Sequence, residues 1–196
     1  MKEILFATSN KGKVKEVKQI LEKENIIVKS LLDFEPIEEP IEDGLTFYDN
    51  AVIKAKYYYN IFKIPVLTDD SGLEVFSLNN EPGVFSARYS GCLDPSLKDQ
   101  KNIDKLLDNL KGIEDRGAQF RCSMVFYDGN SILSTDGIVL GKIIDEQCGN
   151  NGFGYDPIFL PDGYKETLSS ISLEEKNKIS HRYKALIKMV EKLRNL

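Results

Sequence analysis

The chain has 196 residues, 41% apolar and 29% charged, which fits one soluble globular domain over residues 1–196. Its formal charge is -5, from 26 basic and 31 acidic residues, which argues against a general nucleic-acid binder with a basic stripe. No apolar run reaches the ~18 residues a membrane span needs, the opening apolar stretch is too short for a signal peptide, and three scattered cysteines with a single histidine show no zinc spacing, so a reducing cytoplasmic setting is expected.

Residues 2–7 read as a strand, followed by Thr8-Ser9-Asn10-Lys11-Gly12-Lys13 and a helix with Val14, Val17 and Leu21 on one face. Residues 26–32 read as a second strand, so the chain opens as a βαβ unit. An acidic loop, 35–44, leads to a helix over 46–62 with Phe47, Ala51, Ala55 and Tyr58 on one side. A short buried strand, 65–68, ends on Asp69-Asp70-Ser71-Gly72, where Gly72 allows a tight turn, and 73–78 reads as a further strand. A Gly/Pro/Ser-rich loop, 82–95, precedes a helix carrying Ile103, Leu106, Leu107 and Leu110. Residues 120–127 and 132–140 give a hairpin through Asp128-Gly129-Asn130. A glycine-rich loop, 149–154, leads to a strand at 158–160, and a last helix starts at Ser172, whose spacing to Glu175 is that of a capping box. The pattern predicts an α/β fold with a central mixed β-sheet flanked by helices.

Five segments carry chemistry. Thr8 to Lys13 lies between a strand and a helix, where backbone N–H groups, the helix dipole and two lysines suit phosphate; the alternative is a solvated polar turn. Asp69 and Asp70 end an apolar strand, where burial needs compensation, and Mg²⁺ would supply it; the alternative is an Asx turn on the surface. Glu42-Asp43-Gly44 stands with Asn50 and Lys54, which share a helix face at i, i+4; an acidic loop is otherwise a solvated surface. Gly149 to Asp156 places aromatics between glycines, able to stack on a base or simply to turn the chain. Lys176 and Ser180-His181-Arg182 offer donors to a carbonyl or phosphate, although a lone helix histidine is more often structural. Together these describe a Mg²⁺-dependent enzyme acting on a nucleoside phosphate.

In order and spacing, these residues resemble the inosine triphosphate pyrophosphatase family. The resemblance runs through Ala7-Thr8-Ser9-Asn10-Lys11-Gly12-Lys13, Glu42-Asp43-Gly44-Leu45-Thr46-Phe47, Asn50-Ala51, Lys54-Ala55 and Asp69-Asp70-Ser71-Gly72-Leu73. It continues through Pro82-Gly83-Val84-Phe85-Ser86-Ala87-Arg88-Tyr89, Phe153-Gly154-Tyr155-Asp156-Pro157 and Ser180-His181-Arg182. Many members have glycine where this chain has Ser9. The resemblance implies an elongated α/β fold with an active cleft between two lobes, and a homodimer. It implies Mg²⁺-dependent cleavage of deaminated purine nucleoside triphosphates (ITP, dITP, XTP) between the α- and β-phosphates. It further implies that Asp70 accepts the proton of water, that Glu42 and Asp70 hold Mg²⁺, and that Lys54 and Thr8 to Lys13 hold the triphosphate. Ser71, Phe153, Gly154, Tyr155, Asp156, Lys176, His181 and Arg182 would line the nucleoside pocket. Two competing expectations are a Maf-like pyrophosphatase for other modified nucleotides and a nucleotide-binding regulator without catalysis.

Overall fold

The computed structural model describes residues 2–195, with the side chains of Lys2 and Leu173 outside that description. The elements run β1 (Lys2–Phe6), α1 (Lys11–Leu21), β2 (Ile26–Ser30), α2 (Phe47–Phe62), β3 (Val66–Val75), β4 (Glu81–Pro82), α3 (Lys98–Asn109), β5 (Gly117–Tyr127), β6 (Ile132–Ile143), β7 (Phe159–Pro161), α4 (Leu173–Ile179) and α5 (His181–Leu193). The sheet is mixed, in the order β2-β1-β3-β5-β6-β7, with β4 on β3. β1 lies parallel to both β2 and β3, while β4 and β7 run antiparallel to β3 and β6. This is the predicted α/β class. Among the described residues no helix is long and apolar enough to cross a membrane.

The chain forms two compact units, Met1–Asp70 with Ser123–Asp136 and Ala185–Leu196, and Ser71–Cys122 with Gly137–Lys184. In the first, α1 buries Val14, Val17 and Leu21, as its spacing predicts. α2 buries Phe47, Asn50, Ala51, Ala55 and Tyr58. Its start is set by Thr46, whose hydroxyl accepts the Asp49 N–H at 3.1 Å while Asp49 accepts the Thr46 N–H at 3.1 Å, a reciprocal capping box. Ala51 and Ala55 pack against Val125, and their small side chains let the helix approach the sheet. Thr68 Oγ1 donates to the Ala51 carbonyl at 2.8 Å, which ties β3 to the same helix. In the second unit, Leu73, Val75, Ile103, Leu106, Phe120, Ile158 and Phe159 belong to one buried cluster.

Two sequence expectations are corrected. The strands expected at 65–68 and 73–78 are one continuous strand, Val66–Val75, with Phe76–Leu78 a 3-10 turn, so Asp69-Asp70-Ser71-Gly72 is extended backbone and no turn. Apolar residues on both sides of the acidic pair, Val66, Leu67, Leu73 and Val75, are fully buried and carry the strand through. Gly72 serves close approach instead. A Cβ there would overlap Ser86 Oγ and lie 2.7 Å from the Gly83 carbonyl oxygen. Ser86 Oγ accepts the Leu73 N–H at 2.9 Å and donates to Gly83 O at 2.6 Å, so it has little room to retreat. The last helix is also two helices. Ser172 caps α4 by accepting the Glu175 N–H, but the Glu175 carboxylate accepts from Tyr164. Ser180 then leaves helical geometry at φ -60, ψ 145, and its hydroxyl accepts the Tyr183 N–H at 3.0 Å. His181 and Arg182 therefore stand at a helix start.

Gly72→Ala should destabilise the fold by about 1–3 kcal/mol, the usual cost of overpacking, and lower Tm by roughly 2–10 °C. Thermal unfolding followed by circular dichroism measures this, and an unchanged Tm would contradict the close approach.

Candidate active site

The first unit gathers the phosphate and carboxylate candidates. Thr8, Ser9 and Asn10 connect β1 to α1. Asn10 is the helix cap, with Oδ1 accepting the N–H groups of Gly12 and Lys13 at 2.9 and 3.1 Å. Thr8 Oγ1 accepts the Asn10 N–H at 3.2 Å, so the loop is shaped by its own short side chains. Lys11 and Gly12 are exposed, and the first turn of α1 holds no acidic residue, which leaves the helix start electropositive. Lys13 Nζ is 2.9 Å from Asp69 Oδ2. Thr8, Ser9, Lys13, Lys54, Glu42 and Asp69 all line one cavity of about 110 Å³. A wider groove of about 690 Å³, beside Phe76, Arg116 and Lys142, holds none of these residues.

Lys54 is the centre of the carboxylate group. Its Nζ lies 3.2 Å from Glu42 Oε2 and 3.4 Å from Asp70 Oδ1. Asn50, one turn earlier on α2, donates to Asp70 Oδ2 at 3.1 Å. Successive strand residues face opposite sides, so Asp69 and Asp70 find different partners, Lys13 and the α2 pair. Burial raises the pKa of Asp70, Lys54 opposes that, and the Glu42 charge reinforces it. For Lys54, burial favours losing the proton, but Asp70, Glu42 and Asp69 outweigh it and hold the ammonium above its ordinary pKa. The carboxylates outnumber the ammonium they share, and their donors are hard oxygens. Among the described residues no group of three or more His, Cys, Asp or Glu is placed to hold an ion alone. The carboxylate oxygens of Glu42 and Asp70 are of the kind a hard divalent cation takes, one or two at a time, with water and substrate phosphate completing its shell.

The second unit holds the nucleoside candidates. Arg182 is 8% exposed, and its Nη2 donates to Ser71 Oγ at 3.4 Å. The His181 ring stacks on Phe120 at 5.1 Å with an interplanar angle of 10°. Phe153 is 62% exposed, with its N–H held by Asp156 Oδ2 at 2.9 Å. The Lys176 ammonium meets the same oxygen and lies 5.2 Å from the Phe153 ring centroid. Gly154 N–H donates to Asp99 Oδ2 at 2.9 Å. Tyr155 is buried and donates to the Ser86 carbonyl at 3.0 Å, and burial pushes its phenol well above the ordinary value. Tyr155 thus supports the loop from behind, while Phe153 offers an exposed ring with the Lys176 ammonium beside it. The arrangement presents an aromatic face, an ammonium and a guanidinium, the means to stack a base and donate to its carbonyl.

Three contacts were not assigned from sequence. Asn50 is marked by its i, i+4 spacing to Lys54 and by the family resemblance, and neither names Asp70 as its partner. Asp69 was read as a carboxylate needing a metal, and Lys13 compensates it. Asp99 is 55 positions from Gly154, and no local pattern marks such a pair.

Residues 4–192 match the Ham1 family. The dITP/XTP pyrophosphatase of Desulfotalea psychrophila is 48% identical over 184 residues, covering 93% of this chain and 81% of the relative. That of Aquifex aeolicus is 45% identical over 198 residues, covering 98% and 96%. Among solved structures, the Staphylococcus aureus Ham1 protein superimposes with a TM-score of 0.90 at 38% identity, covering 99% of each chain. A HAM1 protein from Coxiella burnetii gives 0.93 at 36% identity, with full coverage of both. The chain belongs to the Ham1 family.

Proposed function

We propose that this chain is a pyrophosphatase for deaminated purine nucleoside triphosphates, ITP, dITP and XTP, releasing the monophosphate and pyrophosphate. The observation that carries the reading is the Glu42–Lys54–Asp70 group beside the Thr8 to Lys13 loop. The dITP/XTP pyrophosphatase names of its relatives support it. Glu42 and Asp70 are the residues that would hold Mg²⁺, which supplies charge neutralisation for the phosphates when bound. Lys54 and the Thr8 to Lys13 loop, through Lys11, Lys13 and the electropositive helix start, bind and orient the triphosphate, which matters because phosphoryl chemistry depends on positioning and electrostatics. Asp70 accepts the proton of the attacking water, and the bond between the α- and β-phosphates breaks.

Selection of the base falls to Ser71, Phe153, Gly154, Tyr155, Asp156, Lys176, His181 and Arg182. Donors from Arg182 and His181 suit the 6-oxo group of hypoxanthine or xanthine. Adenine presents a 6-amino donor there, and opposed donors cost about 1–3 kcal/mol for each buried group left unpaired. We further propose one catalytic domain that works as a cytoplasmic homodimer.

Incubation with ITP, dITP, XTP, GTP and ATP in the presence of Mg²⁺ should give pyrophosphate from the first three far faster than from ATP. Equal rates on all five, or release of orthophosphate, would sink the reading. Asp70→Asn should lower kcat at least ~100-fold while ITP binding is retained.

Arg182→Ala should narrow the ITP-to-ATP ratio of kcat/KM by about tenfold, equivalent to one lost hydrogen bond. An unchanged ratio would remove Arg182 from base reading.

The Asp70 carboxyl should titrate above the ~3.9 of an ordinary aspartate. Lys54→Met removes the main influence that lowers its pKa, so the midpoint should move further up. Because the folded value lies above the unfolded one, the stability linked to this proton is complete below the unfolded value and is lost as pH rises through the folded one. Carbon-13 NMR of the metal-free protein reads the midpoint directly, and a downward move in Lys54→Met would contradict the assignment.

A further inference from the structure

Asn50 has no role in the chemistry above, yet its amide is where the two carboxylate-bearing segments are joined. It is fully buried on α2. Its Oδ1 accepts the Gly44 N–H at 2.8 Å, and its Nδ2 donates to Asp70 Oδ2 at 3.1 Å. A backbone N–H can only donate, so Gly44 determines which end of the amide is oxygen. The Nδ2 end must then face Asp70, and Asp70 must meet it as an acceptor. Gly44 lies two residues beyond Glu42, and Glu42 reaches Lys54, which follows Asn50 by one turn. One rigid planar group thus ties the loop carrying Glu42 to the strand carrying Asp70. The fit is close: a Cβ on Gly44 would come within 2.7 Å of Asn50 Oδ1 and 2.9 Å of its backbone N.

We propose that Asn50 is a positioning residue for the hydrolysis, acting through Asp70. It occupies Oδ2 and leaves Oδ1, the oxygen beside Lys54, as the working oxygen. The amide also holds Asp70 at a set distance from the Glu42 loop. This inference rests on the pyrophosphatase reading. Removing the amide would release both segments, and a displacement of about 1 Å at reacting groups costs on the order of 100-fold in rate.

The test is a double-mutant cycle on ITP hydrolysis with Mg²⁺. Asn50→Ala should lower kcat by ~30- to 100-fold and leave KM within about threefold. In the Asp70→Asn background the same change should cost less than about twofold, because the group it positions is already disabled. A residue that merely supports the fold would cost as much in either background. Gly44→Ala, which displaces the amide from the loop side, should repeat the kcat loss and the non-additivity, and it provides the cycle if Asn50→Ala does not fold. Additive losses, or a loss carried by KM, would overturn the inference while ITP hydrolysis by the unaltered chain stands. A chain that releases no pyrophosphate from ITP would instead overturn the functional reading, and this inference with it.

Discussion

The ammonium of Lys54 holds two carboxylates that would otherwise repel each other. Glu42 and Asp70 each lie within salt-bridge distance of it, and the Glu42 charge makes Asp70 harder to ionise. Buried charges survive only with partners, and removing one partner costs far more than the pair contributes. Lys54 brings the two carboxylates to one place, and their hard oxygens suit a divalent cation and an anionic substrate that brings one. On the proposed function, a chain of formal charge -5 handles a polyanion without a basic face, because Glu42 and Asp70 would hold the cation that accompanies it.

That group depends on the close seating of α2 against the sheet. Thr46 and Asp49 set where the helix begins, and so fix which way Asn50 and Lys54 point. Ala51 and Ala55 keep the buried face thin, and Thr68 pins the Ala51 carbonyl to β3. Asp70 follows Thr68 by two strand positions and so shares its side of the sheet. A larger residue at Ala51 or Ala55 would press on Val125 and shift the helix that carries Lys54.

Much of this was legible in the sequence because it is local. Periodicity located α1, α2 and α3, and the i, i+4 spacing put Asn50 and Lys54 on one face. Asp70 was legible as a carboxylate needing compensation, since it follows a run of buried apolar residues. The continuity of β3 was not legible, because Asp-Asp-Ser-Gly composition favours a turn. What overrides that preference is tertiary: Lys13 neutralises Asp69, Lys54 and Asn50 hold Asp70, and Ser86 fills the space a Gly72 side chain would need. The break at Ser180 was hidden for a different reason: apolar residues recur at helical spacing on both sides of it, at Ile179, Leu186, Ile187, Val190 and Leu193. Asp99 against Gly154 left no trace, because its partner is set by packing between distant segments.

The lysines show how the two units solve one problem in the same way. Lys13 is paired with buried Asp69, and Lys176 with buried Asp156. A free lysine loses up to about 2 kcal/mol of side-chain entropy when a ligand immobilises it. Both lysines here are already held by a carboxylate anchored in the core, so that cost belongs to folding and not to binding. Each ammonium has three N–H donors, and one carboxylate oxygen engages only part of that capacity. Asp156 does a second task, since the same oxygen that meets Lys176 also holds the Phe153 N–H and so orients the exposed ring. Asp69 and Asp156 therefore differ from Glu42 and Asp70 in arrangement: each is paired with a lysine of its own, whereas Glu42 and Asp70 meet the same ammonium.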